Sequence, residues 1–187
     1  MSITEWVLQT YNAQNSGLEK AKNFTFIWSL FENHSRGSIF KSNNMHISDF
    51  EVWVNSLDIK TDKFSLVIED KNSNNNISNG LIDNINKSFN HFYQKYDKDK
   101  EVFLNLVFNQ NDAMTQRAKG YFKTFAESMD KTRIQSKIIF LFYIAKRMRN
   151  KFFHGIKSIE DVKQDSKEFE KISGYLISII SLIEKYD

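Results

Sequence analysis

The run Arg147-Met148-Arg149-Asn150-Lys151-Phe152-Phe153-His154-Gly155 closes a long apolar stretch and holds the residues best suited to chemistry. An arginine keeps its proton at any ordinary pH, and a histidine titrates near neutrality. Such a pair can stabilise and cleave a phosphodiester without a metal. Asn150 and His154 stand at i and i+4 and share a helix face, whereas Arg149 falls about 140° around an ideal helix from His154. One regular helix therefore cannot aim both at one small target. Either the helix ends or distorts near Phe153 and His154, with Gly155 as a left-handed cap, or a second copy of the chain completes the site.

The elements that must position this run are helical. From Lys131 to Phe153, Ile134, Ile138, Leu141, Ala145, Met148 and Phe152 step by four and three. Ile139, Phe140, Phe142, Tyr143 and Ile144 widen that stripe almost all round, which predicts a central helix. A second helix follows from about Ser166 to Tyr186, with Phe169, Ile172, Leu176, Ile179, Ile180 and Ile183 on one face. The short link from Gly155 to Lys163 predicts that the two pack as an antiparallel hairpin with the run at its turn. Upstream, Leu18, Ala21, Phe24, Ile27, Trp28 and Phe31 predict a helix that stops near Arg36-Gly37.

Arg149-Asn150, three residues, then His154 resembles the signature of the HEPN superfamily, Arg followed after four to six residues by His, commonly with a polar residue directly after the Arg. The Arg-Asn-x-x-x-His form is that of the nucleases of type VI CRISPR effectors, and Gly155 adds a similarity to the Apea-like branch. Arg147 also fits the loose spacing but lacks the Asn. The resemblance covers the motif and the helical pattern of about Lys20 to Arg36 and Lys131 to Lys185. It implies an all-α HEPN-type bundle and a homodimer in which two motifs face each other. It further implies metal-independent endoribonuclease cleavage, in which the RNA 2′-hydroxyl attacks the adjacent phosphate. Arg149 would then neutralise phosphoryl charge, His154 would serve as acid or base, and Asn150 would orient one of them. In such domains a polar residue near the end of an earlier core helix often reaches the motif Arg, and Glu32 is the candidate. Small bacterial members serve as toxins or in phage defence, with a cognate antitoxin or regulatory protein as a further partner. Toxins of the class paired with nucleotidyltransferase antitoxins have Tyr two residues after the His, where this chain has Ile156. That departure counts against membership of that branch and against regulation by adenylylation.

Composition agrees with a helical domain. The chain has 187 residues, no proline, six glycines and no cysteine. It is long enough to bury a core as one domain over 1–187, and it lacks the usual helix breakers. The absence of cysteine removes disulfides and thiolate metal sites and suits a reducing cytosol. Glu5 and Gln9 interrupt any apolar leader, and no stretch reaches the length of a membrane span, so the expectation is a cytoplasmic protein with no membrane partner. Net charge is +3, a mild bias. Locally Lys146, Arg147, Arg149, Lys151 and Lys157 gather at the motif, and Lys146, Arg147 and Lys151 are the candidates to hold RNA phosphates.

The remaining segments are less informative. A short helix is predicted from Ile47 to Leu57, with Phe50, Val52, Trp53 and Leu57 apolar. Phe64 to Ile68 is ambiguous between helix and strand, so a short strand or irregular insertion stays open there. Lys71 to Gly80 reads as a polar loop, Leu81 to Tyr96 and Met114 to Met129 as helices, and Val102 to Phe108 has no decisive period.

The blander readings are specific too. Arg149 and His154 could be a surface cation and a helix-terminal histidine. His34 lies near Glu32 but suits a surface or capping role, His46 a helix start, and His91 an amphipathic run. None of the histidines has a metal-ligand spacing, and no cofactor or metal is implied. The 17 phenylalanines invite a base-stacking account, yet most sit at helical core spacings. Phe152 and Phe153, between the motif residues, are the two to watch. The alternative to an endoribonuclease is a non-catalytic HEPN-like module that binds RNA or a protein, or a plain helical dimerisation domain.

Overall fold

A computed structural model describes residues 15–42, 44–59, 65–69, 76–108, 112–153 and 159–186. These form helices α1 (Asn15–Ser35) and α2 (Ile47–Ser56), strands β1 (Ser65–Glu69) and β2 (Asn76–Gly80), and then α3 (Leu81–Lys98), α4 (Lys100–Val107), α5 (Ala113–Ser128), α6 (Ile134–Phe153), α7 (Ile159–Gln164) and α8 (Ser166–Tyr186). The protein is predominantly helical. Among the described residues no helix is long and apolar enough to cross a membrane.

Local chemistry marks the boundaries. Asp99 ends α3 and starts α4, its side chain accepting the Val102 N–H at 2.9 Å. Asp112 does the same for α5 through the Thr115 N–H, also 2.9 Å; such caps satisfy donors that a helix start leaves open. After α1 the Ser35 carbonyl accepts both the Ile39 and Phe40 N–H groups at 3.1 Å, and Gly37 turns the chain with φ +83°. That left-handed position suits a residue without Cβ. His46 stands at the start of α2 without a side-chain cap.

Helix α6 runs through the core. Phe140 and Phe142 are two residues apart, so they project on opposite sides, and each is met by a different ring cluster. Phe142 stacks on Phe50 of α2 at 3.8 Å and lies 5.8 Å from Phe31 of α1. Phe140 sits 5.3 Å from Phe89 of α3 and 5.2 Å from Phe122 of α5. A helix apolar all round must be enclosed by its neighbours. Val52, expected among the apolar positions of α2, faces out at 72 % exposure, while Val54 is fully buried.

Two expectations need correction. The first is the polar loop at 71–80. Lys71 to Asn75 lie outside the described residues, but Asn76–Gly80 forms β2, antiparallel to β1 with Ser65 opposite Gly80 and Glu69 opposite Asn76. Asn, Ser and Gly have poor strand propensity, so the pairing comes from the partner strand. The second is the hairpin of α6 and α8. A short helix, α7, fills the link, and α8 packs mainly on α1 and α3. Phe24 of α1 lies 5.2 Å from Phe169, and the Ser88 and Ser178 hydroxyls join α3 and α8 through the Lys171 and Leu81 carbonyls at 2.8 and 3.2 Å. Helices α6 and α8 meet at few points, chiefly Phe152 with Phe169 and the Tyr175 hydroxyl on the Ile138 carbonyl at 2.9 Å. A stripe wide enough to bury α8 also fits two other helices, and those take it.

Between α3 and α8, His91 lies 3.5 Å from Glu168, which also pairs with Lys95. Burial, together with Lys95 and Lys167 and against Glu168, holds the His91 pKa below its ordinary 6.5. A histidine held neutral in the fold contributes stability above its unfolded pKa, and that contribution is lost as pH falls through the lower folded value. Denaturant midpoints should therefore drop from pH 7 to about 5, and His91→Gln should flatten that part of the profile. Truncating the stacked ring in Phe142→Ala should cost about 3–5 kcal/mol in urea unfolding.

Candidate functional site

The last two turns of α6 carry Lys146, Arg147, Arg149, Asn150 and Lys151 beside the C-terminal turn of α1. Phe31 is buried against Phe142, which sets the register of α1 on α6 and turns the next residue, Glu32, toward Arg149. The Arg149 guanidinium donates to Glu32 Oε1 at 3.2 Å and to the Asn150 side-chain oxygen at 3.4 Å. Its carbon lies 5.0 Å from the centre of the Phe153 ring, one turn on. The two side chains of the ion pair are 30 % and 24 % exposed, so the pair orients Arg149 more than it stabilises the fold; pairs of this kind give about 1 kcal/mol or less. Arg149, Asn150 and Glu32 are thus brought together, with a cation aimed, backed by an aromatic ring and still open to solvent.

His154 lies outside the described residues, as do Gly155, Ile156 and Lys157. Phe152 is the core member of its pair, 5.7 Å from Phe169. Phe153 is the exposed one, at 46 %. His34 approaches Glu184 of α8 at 3.8 Å.

The three cations expected to hold RNA phosphates also make contacts within the fold. Lys151 is buried and donates to the Leu106 carbonyl. That carbonyl belongs to the last turn of α4, where helix oxygens lack intrahelical donors and a cation is favoured. Arg147 is also buried, with its guanidinium carbon 5.5 Å from the centre of the Phe108 ring just past the same helix end. Burial lowers the Arg147 pKa, against the pull of Asp112. Lys146 donates to the Met45 carbonyl at 2.7 Å and the Asn44 carbonyl at 3.4 Å. Met45 has φ 44°, unfavourable for a residue with a side chain, so Lys146 pins a strained loop. Burial, with Arg149 and Arg147 adding to it, pushes the Lys146 pKa down. Sequence reasoning read a charged surface because burial of a cation depends on carbonyls that lie far away in the chain.

Sequence reasoning also passed over the Lys95, His91 and Glu168 cluster. Its members are separated by 73 residues or more from α3 to α8, and no local signal joins them. Among the described residues no group of three or more His, Cys, Asp or Glu side chains is placed to hold a metal ion. The chemistry within reach is that of an oriented guanidinium, which binds a phosphate or carboxylate and stabilises charge building on oxygen.

If Lys151 serves the α4 terminus, Lys151→Met leaves a carbonyl without its donor and should lower unfolding free energy by about 1–3 kcal/mol. A surface phosphate ligand would change it by no more than about 0.5 kcal/mol. Denaturant titration separates the two.

No family model, no curated protein and no solved structure matches this chain; the chemistry of the site rests on its own residues.

Proposed function

We propose that the protein is a metal-independent endoribonuclease with a HEPN-type bundle, acting as a toxin or phage-defence effector. The observation that carries this reading is the guanidinium of Arg149, held at the end of the central helix by Glu32 from another helix at 3.2 Å. Glu32 is the residue that the resemblance nominates for that contact. A guanidinium fixed in this way is set to neutralise a phosphoryl oxygen as charge builds in the transition state, with little reorganisation. His154 takes the proton from the RNA 2′-hydroxyl or delivers one to the leaving 5′-oxygen. The 2′-oxygen bonds to phosphorus as the phosphorus–5′-oxygen bond breaks, and a 2′,3′-cyclic phosphate remains.

A second copy supplies the second proton-transfer group, because one chain carries one such Arg-His set and acid–base cleavage works best with two groups. Phe26 and Leu30 support a dimer. They are 65 % and 37 % exposed and stand at i and i+4 on α1, so they share one helix face. An exposed apolar surface of that kind suits a subunit contact.

One observation favours the alternative of a non-catalytic module that binds RNA or a protein. Lys146, Arg147 and Lys151 are bound to the fold, so the cations flanking Arg149 do not form the basic surface expected for RNA. A carboxylate-bearing partner that exchanges with Glu32 would suit the same guanidinium.

Incubation of purified protein with mixed RNA distinguishes them. Arg149→Ala and His154→Ala should each abolish cleavage without changing the far-ultraviolet helical signal, and a chelator should leave the native rate unchanged. Loss of the His154 contribution corresponds to about 10²- to 10⁴-fold. Sedimentation should give a dimer mass that Phe26→Lys with Leu30→Lys converts to a monomer. Full activity in His154→Ala ends the nuclease reading.

A further inference from the structure

Phe152 and Phe153 stand between Asn150 and His154 in the chain, and the fold gives the two rings different surroundings. Phe152 packs against Phe169 of α8, ring centres 5.7 Å apart. Phe153 remains 46 % exposed, yet it is not loose. Its ring meets that of Phe152 nearly at a right angle, 81° with centres 5.8 Å apart, and the Arg149 guanidinium carbon lies over it at 5.0 Å. A ring held by a core residue and by a cation is ordered before any ligand arrives, so little freedom is lost on binding. Arg149 is ordered as well. Its two terminal nitrogens donate separately to Glu32 and Asn150, each carries a second N–H, and the side chain is 30 % exposed.

We propose that Phe153 is a nucleobase-stacking residue, which positions one base of the RNA beside the phosphate that Arg149 holds; this rests on the RNA reading of the Arg149 site. An anion donor and an exposed ring 5.0 Å apart match the two parts of a nucleotide, whose charged phosphate and flat base are joined through a single ribose. A bare phosphate or carboxylate would use the guanidinium and leave the ring in water. Stacking also supplies what the local charge does not. Lys146 and Lys151 donate to carbonyls of the fold and Arg147 lies against the Phe108 ring, so a nucleotide held by the one guanidinium would be held weakly. Every base has a π-face, so the ring selects for a base free of its duplex partner rather than for one sequence. A base fixed on Phe153 limits rotation about the ribose–phosphate linkage, which helps to bring the 2′-oxygen into line with phosphorus. Phe152, turned into the core, braces Phe153 without touching RNA.

Fluorescence anisotropy of the full chain with a short labelled 2′-fluoro RNA, which lacks the attacking hydroxyl, tests stacking apart from cleavage. Cutting of ordinary RNA judges the nuclease reading separately. Phe153→Ala should weaken binding about 5- to 150-fold, with the far-ultraviolet helical signal and the oligomeric state unchanged. Phe153→Trp should bind at least as well as the native protein, whereas Phe153→Leu, apolar but without a π-face, should bind like Phe153→Ala. A series of the same oligonucleotide made abasic at each position in turn depends on no variant folding. Loss of one base should cost the native protein a similar factor and cost Phe153→Ala little. The proposal is overturned if the native protein does not bind the 2′-fluoro RNA, if Phe153→Ala binds it equally well, or if every abasic position affects both proteins alike. Loss of a native dimer in Phe153→Ala overturns it too, by making the ring a subunit contact.

Discussion

Everything in this structure answers to one constraint: α6 is apolar around its whole circumference and must be enclosed. Its buried residues include Phe140 and Phe142 on opposite sides, so no single partner helix suffices. Helices α1 and α2 close one side through Phe31 and Phe50, and α3 and α5 close the other through Phe89 and Phe122. A helix so enclosed cannot leave charged side chains unattended at its end, because a buried charge needs a partner or it opposes folding.

The four cations in its last turns meet that requirement in four directions. Lys146 reaches back to the carbonyls before α2, Lys151 to the end of α4, Arg147 to the ring just after it, and Arg149 to a carboxylate on α1. Each ties a different part of the chain to α6. Arg149 pairs with a carboxylate and keeps its side chain partly open to solvent. An incoming phosphate or carboxylate can replace Glu32 there. The others bind backbone oxygens or a ring and hold the frame that keeps Arg149 in place.

The same helix therefore presents two chemically different faces within one turn. On one, a cation is paired and accessible. On the other, two buried cations line a cavity that carboxylates from α7, the following turn and α8 also line. Since Arg149 and Arg147 share a backbone, order at one face bears on order at the other.

Much of this was legible in residue order. The 3.6-residue apolar rhythm located α1, α6 and α8 closely, because that signal is local and strong, whereas the helix starts capped by Asp99 and Asp112 became plain only in the folded backbone. Arg149 meets Asn150 and Glu32, a contact that the resemblance implied and that periodicity alone did not. What residue order could not reveal depended on distant partners. The strand at Asn76–Gly80 exists because β1 pairs with it, and α8 lies on α1 and α3 because three helices compete for one apolar stripe. Lys146 and Lys151 read as surface cations because a lysine carries no mark of burial. Only packing that brings carbonyls of Met45 and Leu106 to their ammonium groups, from about a hundred and from 45 residues away, makes burial affordable. Local periodicity belongs to the sequence; the pairing of charges with distant backbone belongs to the tertiary structure, since the free energy of a buried ion is set by neighbours the chain meets only after folding.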